Sequence, residues 1–119
     1  MDKIKSLAAD APIAEFGPFL VRPSGVEKRS GKGRGKHPLE GVSATVETGE
    51  EMHRRITATR LVLTGVFAWA IKKKSGGTYF LTIEGPGFAW VEEVDRKKHA
   101  DAVKFAAAVR GAVAAPVSK

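Results

Sequence analysis

Apolar and polar side chains alternate every second position through much of the chain up to Val94, and every third or fourth position after it. Val42, Ala44 and Val46 alternate with Ser43, Thr45 and Glu47, as in a half-buried strand; Tyr79, Leu81 and Ile83 alternate with Phe80, Thr82 and Glu84 in the same way. Ile13 to Phe16 and Phe19 to Arg22 predict one strand interrupted by a bulge or edge at Gly17-Pro18. Pro23-Ser24-Gly25 is a turn signal, because Pro presets φ and Gly accepts positive φ; Val26 to Arg29 return as the next strand. Thr48 to Glu51 read as another turn. Arg54 to Gly65, β-branched and apolar with Arg60 inside, reads as strand-turn-strand: Arg55 to Ala58 and Arg60 to Thr64 form two short strands or one bent strand. Phe67 to Ile71 continue outward, Ser75-Gly76-Gly77 and Gly85-Pro86-Gly87 are turns, and Phe88 to Val94 form the last strand.

From Arg96 the period becomes helical. Ala102, Phe105, Ala106, Val109, Ala112 and Val113 share one face, with Asp95 as N-cap and Gly111 or Pro116 as the stop. About 18 residues at 1.5 Å each span roughly 27 Å, enough to cover one end of a small barrel. Many strands followed by one helix predict a mainly β fold with a C-terminal α-helix, a small barrel or sandwich.

At 119 residues the chain suits one domain: a flexible tail over 1–11, a domain over 12–115 with a mobile basic loop at 30–38, and a tail over 116–119. The net charge of +7 favours acidic partners, whether nucleic acid, an anionic lipid headgroup surface or an acidic protein face. No cysteine is present, which excludes disulfides and thiolate metal sites. The N-terminus lacks the apolar stretch of a signal peptide. The longest nearly apolar run, Leu61 to Ile71, is eleven residues, against roughly 20 for a membrane helix. A soluble, cytoplasmic protein is expected.

Ile56-Thr57-Ala58-Thr59-Arg60-Leu61-Val62-Leu63-Thr64 resembles the Thr-x-x-Arg-apolar-x-apolar-Thr signature of bacterial pleckstrin-homology-like (PH-like) domains. His37 to Val42, Glu84-Gly85-Pro86-Gly87 and Phe105-Ala106-Ala107 are similar to segments of short PH-like proteins of high-GC Gram-positive bacteria and their phages. The resemblance covers about residues 12–114. It implies a bent barrel of about seven strands capped by the C-terminal helix, and a non-enzymatic binding or oligomerising module. It carries no ligand-binding residues onto this chain.

Charge and placement supply the candidates. Lys28, Arg29, Lys32, Arg34 and Lys36 put five positive charges in nine residues without an acid, and the interleaved glycines let backbone N–H groups approach an anion. The spacing is not that of a P-loop, and the plainer reading is a solvated loop. Lys72, Lys73 and Lys74 sit at a hairpin tip, where they keep an edge from aggregating. If the barrel gathers both loops at one end, all eight cations form one anion-binding patch. Arg96-Lys97-Lys98-His99 face an unfavourable helix dipole, which a bound phosphate would reverse; solvated lysines near Glu92, Glu93 and Asp95 are the plainer reading.

His37, His53 and His99 lack zinc-site spacing, no serine has a nucleophile-elbow context and no carboxylate pair stands out, so no catalytic residue, metal or cofactor is expected. Trp69 and Trp90 read as core or rim packing rather than as base-stacking platforms. Two functions follow: a PH-like binding or scaffold module recognising a protein or an anionic surface, or a small basic nucleic-acid-binding β-barrel. An unpaired N-terminal edge bearing Phe16, Phe19 and Val21 also predicts a homo-oligomer, most simply a two-fold dimer; the competing outcome is a monomer whose tail covers that edge.

Overall fold

The computed structural model describes residues 10–31, 33–59 and 78–115. The strands read over Arg60 to Thr64 and Phe67 to Ile71, the Ser75-Gly76-Gly77 turn, Trp69, Lys32 and Lys72-Lys73-Lys74 lie outside the described residues. Among the described residues, seven strands form two antiparallel sheets, of order β1-β2-β3-β4 and β5-β6-β7. The first holds β1 (Ala14–Phe16), β2 (Phe19–Arg22), β3 (Gly25–Lys28) and β4 (Gly35–His37). The second holds β5 (Ser43–Thr48), β6 (Tyr79–Gly85) and β7 (Phe88–Val94). The expected mainly β chain with a C-terminal helix is present, but among the described residues the strands do not close into a barrel.

Gly17-Pro18 is a reversal, not a bulge. Phe16 faces Phe19 across it, and Gly17 at φ 56° followed by the ring-fixed φ of proline fits a II′ hairpin turn. Pro86-Gly87 closes β6 onto β7, with Gly87 at φ 82°. Residues 30–38, read as a loop, contain strand β4, because the hairpin partners of Val26 to Lys28 lie at Gly35 to His37.

The core lies between the two sheets and the C-terminal helix. Phe19, Val21 and Val26 come from the first sheet; Ala44, Leu81, Ile83, Trp90 and Val94 come from the second. A 3₁₀ turn at Arg96–Lys98 leads into helix α2 (His99–Ala114), which adds Ala102, Phe105, Ala106 and Val109 to the same cluster. Asp95 caps the turn, accepting from the Lys97 N–H at 3.2 Å. Gly111 lies within the helix; the stop is at Ala115, whose extended backbone is what the following proline requires. Phe19 and Val21 are fully buried, so they do not line the N-terminal edge; Ile13 and the partly exposed Phe16 do.

The second sheet is buried on both faces. Phe80 and Val91, on the side away from α2, pack under Met52 of an unexpected helix, α1 (Gly49–Thr59). This helix replaces the turn read at Thr48–Glu51 and the strand read at Arg55–Ala58. Its cause is a capping box: Thr48 Oγ1 accepts from the Glu51 N–H at 3.1 Å, and Glu51 Oε1 accepts from the Thr48 N–H at 2.8 Å. A satisfied helix start and a buried Met52 outweigh the strand propensity of Ile56, Thr57 and Thr59.

Phe105→Ala empties the centre of the α2 contact and is expected to cost about 3–5 kcal/mol in urea unfolding. Thr82 is 1% exposed and its hydroxyl has no hydrogen-bond partner among the described residues. Thr82→Val therefore removes an unsatisfied buried group and is expected to raise stability by about 1 kcal/mol, read the same way. The Thr48 backbone N–H, aided by the Thr48 hydroxyl and the Arg54 charge, holds Glu51 below its ordinary pKa despite slight desolvation. A lowered folded-state pKa stabilises fully above the unfolded-state value, and that stabilisation is lost as pH falls through the folded-state value. The acid side of the stability–pH curve should accordingly flatten in Glu51→Gln.

Candidate anion-binding surface

The β3–β4 hairpin carries most of the basic loop. Val26 faces His37, Glu27 faces Lys36 and Lys28 faces Gly35, and residues 29–34 connect the two strands. Gly31 at φ 87° and Gly33 at φ 79° supply the left-handed backbone of that connection, closed by the Arg34 N–H donating to Gly31 O at 3.3 Å. The loop is fastened at three points. The Arg29 N–H donates to Pro18 O at 2.8 Å, which ties it to the β1–β2 turn. The Trp90 indole N–H donates to Gly33 O at 2.8 Å. The His37 ring stacks on Phe88 with centroids 3.8 Å apart and planes 4° from parallel.

The four predicted cations among the described residues, Lys28, Arg29, Arg34 and Lys36, do not share one face. Lys28 is half-buried with its ammonium 5.8 Å from the centroid of the Phe19 ring, a cation–π contact. Arg29 is held by Glu15 at 3.1 Å and reaches Gly17 O at 3.4 Å. Both line a depression with Gly17, Pro18, Gly31 and Glu92. Lys36 lies on the opposite face of the sheet, where it lines a cavity of about 270 Å³ with Arg22, Ser24, Glu27, His37 and Pro38. Arg34 stands at the hairpin tip. Arg34 and Lys36 are exposed and make no ion pair among the described residues.

Arg22 was missed by the charge count, since it lies on strand β2 outside the basic run. Its guanidinium Nε is 3.7 Å from Glu27 Oε1, a carboxylate oxygen that is buried and has no hydrogen-bond partner among the described residues. Ser24, on the β2–β3 turn, holds the Asp10 carboxylate. No local pattern announces this contact, because its partners are 14 positions apart.

The other candidates resolve into structural parts. Trp90 is 3% exposed and packs on Phe19 at 5.8 Å and Phe88 at 4.8 Å, so its face is closed to a base. The His99 ring lies 4.1 Å from Tyr79. Among the described residues no group of three His, Asp or Glu side chains is placed to hold a metal, and no helix is long and apolar enough to cross a membrane. A groove of about 530 Å³ lies between β1, β7 and α2, lined above Phe16 and Phe105 by acids such as Glu15, Glu92 and Asp101 and by Lys98 and Lys104.

No known protein family matches the chain, no curated protein is similar in sequence, and no solved structure is similar in fold.

Proposed function

We propose that the chain is a non-enzymatic binding module of the PH-like kind, which docks on an anionic partner surface through the tip and outward face of the β3–β4 hairpin. The observation that carries this reading is the pair Arg34 and Lys36: two exposed cations, without an ion pair among the described residues, on a hairpin fastened by Trp90 and His37. A fixed hairpin presents its charges without the ordering entropy that a loose loop loses on binding. The mainly β fold with a C-terminal helix is compatible with the architecture that the PH-like resemblance implies, although Ile56 to Thr59 of the resembling segment lie in helix α1 and the rest of it lies outside the described residues. The burial of Trp90 removes a stacking platform from the nucleic-acid reading, which makes the protein or lipid surface the preferred partner.

The test measures binding of three probes across a salt series: vesicles containing phosphatidylserine, a labelled octaglutamate peptide and a single-stranded oligonucleotide. At about 1 kcal/mol per cation near an anionic surface, Arg34→Gln/Lys36→Gln is expected to weaken the preferred probe roughly 30-fold at low salt. Arg96→Gln/Lys97→Gln, on the turn before α2, should leave binding near the parent value. If the two double variants weaken binding equally, net charge and not the hairpin governs it. If the oligonucleotide alone binds, with a slope of about 0.7 per phosphate contacted, the nucleic-acid reading replaces this one.

A further inference from the structure

A carboxylate already sits beside this surface. Ser24 N–H donates to Asp10 Oδ1 at 2.9 Å, and the Ser24 hydroxyl donates to Asp10 Oδ2 at 2.7 Å. Arg22 Nη1 donates to the Asp10 main-chain oxygen at 3.1 Å. One exposed turn residue thus satisfies both oxygens of a planar carboxylate, with a guanidinium beside it. Asp10 precedes β1 and belongs to neither sheet.

The charge balance of the adjoining cavity limits what else the turn can take. Its walls carry two cations, Arg22 and Lys36, and one anion, Glu27. With the Asp10 carboxylate withdrawn, the formal sum is a single positive charge, which matches a monoanion. A dianion would bring a second negative charge towards the Glu27 oxygen that Arg22 already faces at 3.7 Å and that lacks a hydrogen bond among the described residues. The two Ser24 donors also suit a planar two-oxygen group.

We infer that the β2–β3 turn is a carboxylate-binding site, that its ligand is an aspartate or glutamate side chain on an acidic segment of a partner protein, and that Asp10 is an intramolecular occupant which competes for it. The inference rests on the anion-facing role of the β3–β4 hairpin, whose Lys36 lines the same cavity and would meet the neighbouring acids of such a segment. Occupancy by Asp10 lowers the apparent affinity in proportion to the fraction of molecules whose turn is open. Asp10 then acts on partner binding as well as tying the chain before β1 to the β2–β3 turn.

The experiment follows a fluorescently labelled octaglutamate peptide by anisotropy at fixed ionic strength, with the full chain. Asp10→Ala is expected to tighten binding about 3- to 10-fold, the range for a turn closed in most molecules. Asp10→Asn, which keeps an acceptor for the Ser24 N–H but loses the charge, should fall between. Adding Ser24→Ala to Asp10→Ala should abolish the gain. Asp101→Ala changes the net charge equally but lies on α2 away from the turn, and should bind like the parent. Melting temperatures are recorded on every variant.

An Asp10→Ala protein that melts lower and binds no tighter makes Asp10 a structural clip only, and overturns the inference. So does a gain that survives Ser24→Ala, or one matched by Asp101→Ala. Inorganic phosphate that displaces the peptide as well as acetate or better, at equal ionic strength, overturns the carboxylate assignment. If Arg34→Gln, at the hairpin tip and outside the cavity, leaves peptide binding unchanged while Asp10→Ala still tightens it, the hairpin tip plays no part and the turn site stands.

Discussion

The Trp90 side chain joins the two sheets, and the rest of the arrangement depends on it. Its ring packs on Phe19 of β2, on Phe88 beside it in β7 and, at 5.4 Å, on His37 of β4. Its N–H reaches the Gly33 carbonyl. An indole buries roughly 150–250 Å² of surface, and its one donor must find an acceptor when buried. Gly33 provides that acceptor only because a left-handed backbone turns its carbonyl inward; a Cβ there would stand 3.4 Å from the indole nitrogen. The same contact therefore closes one side of the core and sets the course of the basic loop.

The second constraint is double-sided burial of β5-β6-β7. Leu81 and Ile83 meet the first sheet and α2, while Phe80 meets Met52 of α1. A sheet sheltered on both faces tolerates apolar residues at successive positions, which is why β6 reads Phe80-Leu81-Thr82-Ile83 without an exposed face. Thr82 is the exception: a hydroxyl with no hydrogen-bond partner among the described residues.

What the sequence made legible follows from how local each signal is. The strand pairs around Pro23-Ser24 and Pro86-Gly87, and the helical stripe through Phe105 and Val109, are short-range patterns and appear where expected. Helix α1 was also locally encoded, since Thr48-Gly49-Glu50-Glu51 is a capping box, but the β-branched residues after it pointed the other way. The Gly17-Pro18 reversal was hidden because apolar residues flank it on both sides. The candidate surface was least legible. The chain shows where cations occur, but not that Phe19 and Glu15 engage Lys28 and Arg29 while Arg22 joins Lys36 on the other face.

That partition changes what a net charge of +7 means. Lys28 covers an aromatic ring, Arg29 binds the β1 edge and Arg22 stands against a half-buried glutamate, so each has a task within the fold. Exposed charges on solvated side chains act on a partner mostly through steering, whereas charges fixed in place also select its geometry. Arg34 and Lys36 are held by a fastened hairpin, and Ser24 offers two oriented donors on the β2–β3 turn, in the cavity that Lys36 also lines. Recognition at this surface would then depend on a few fixed groups rather than on the overall excess of lysine and arginine. A substitution that loosens Gly33 or His37 would weaken that selectivity while leaving every charge in the chain unchanged.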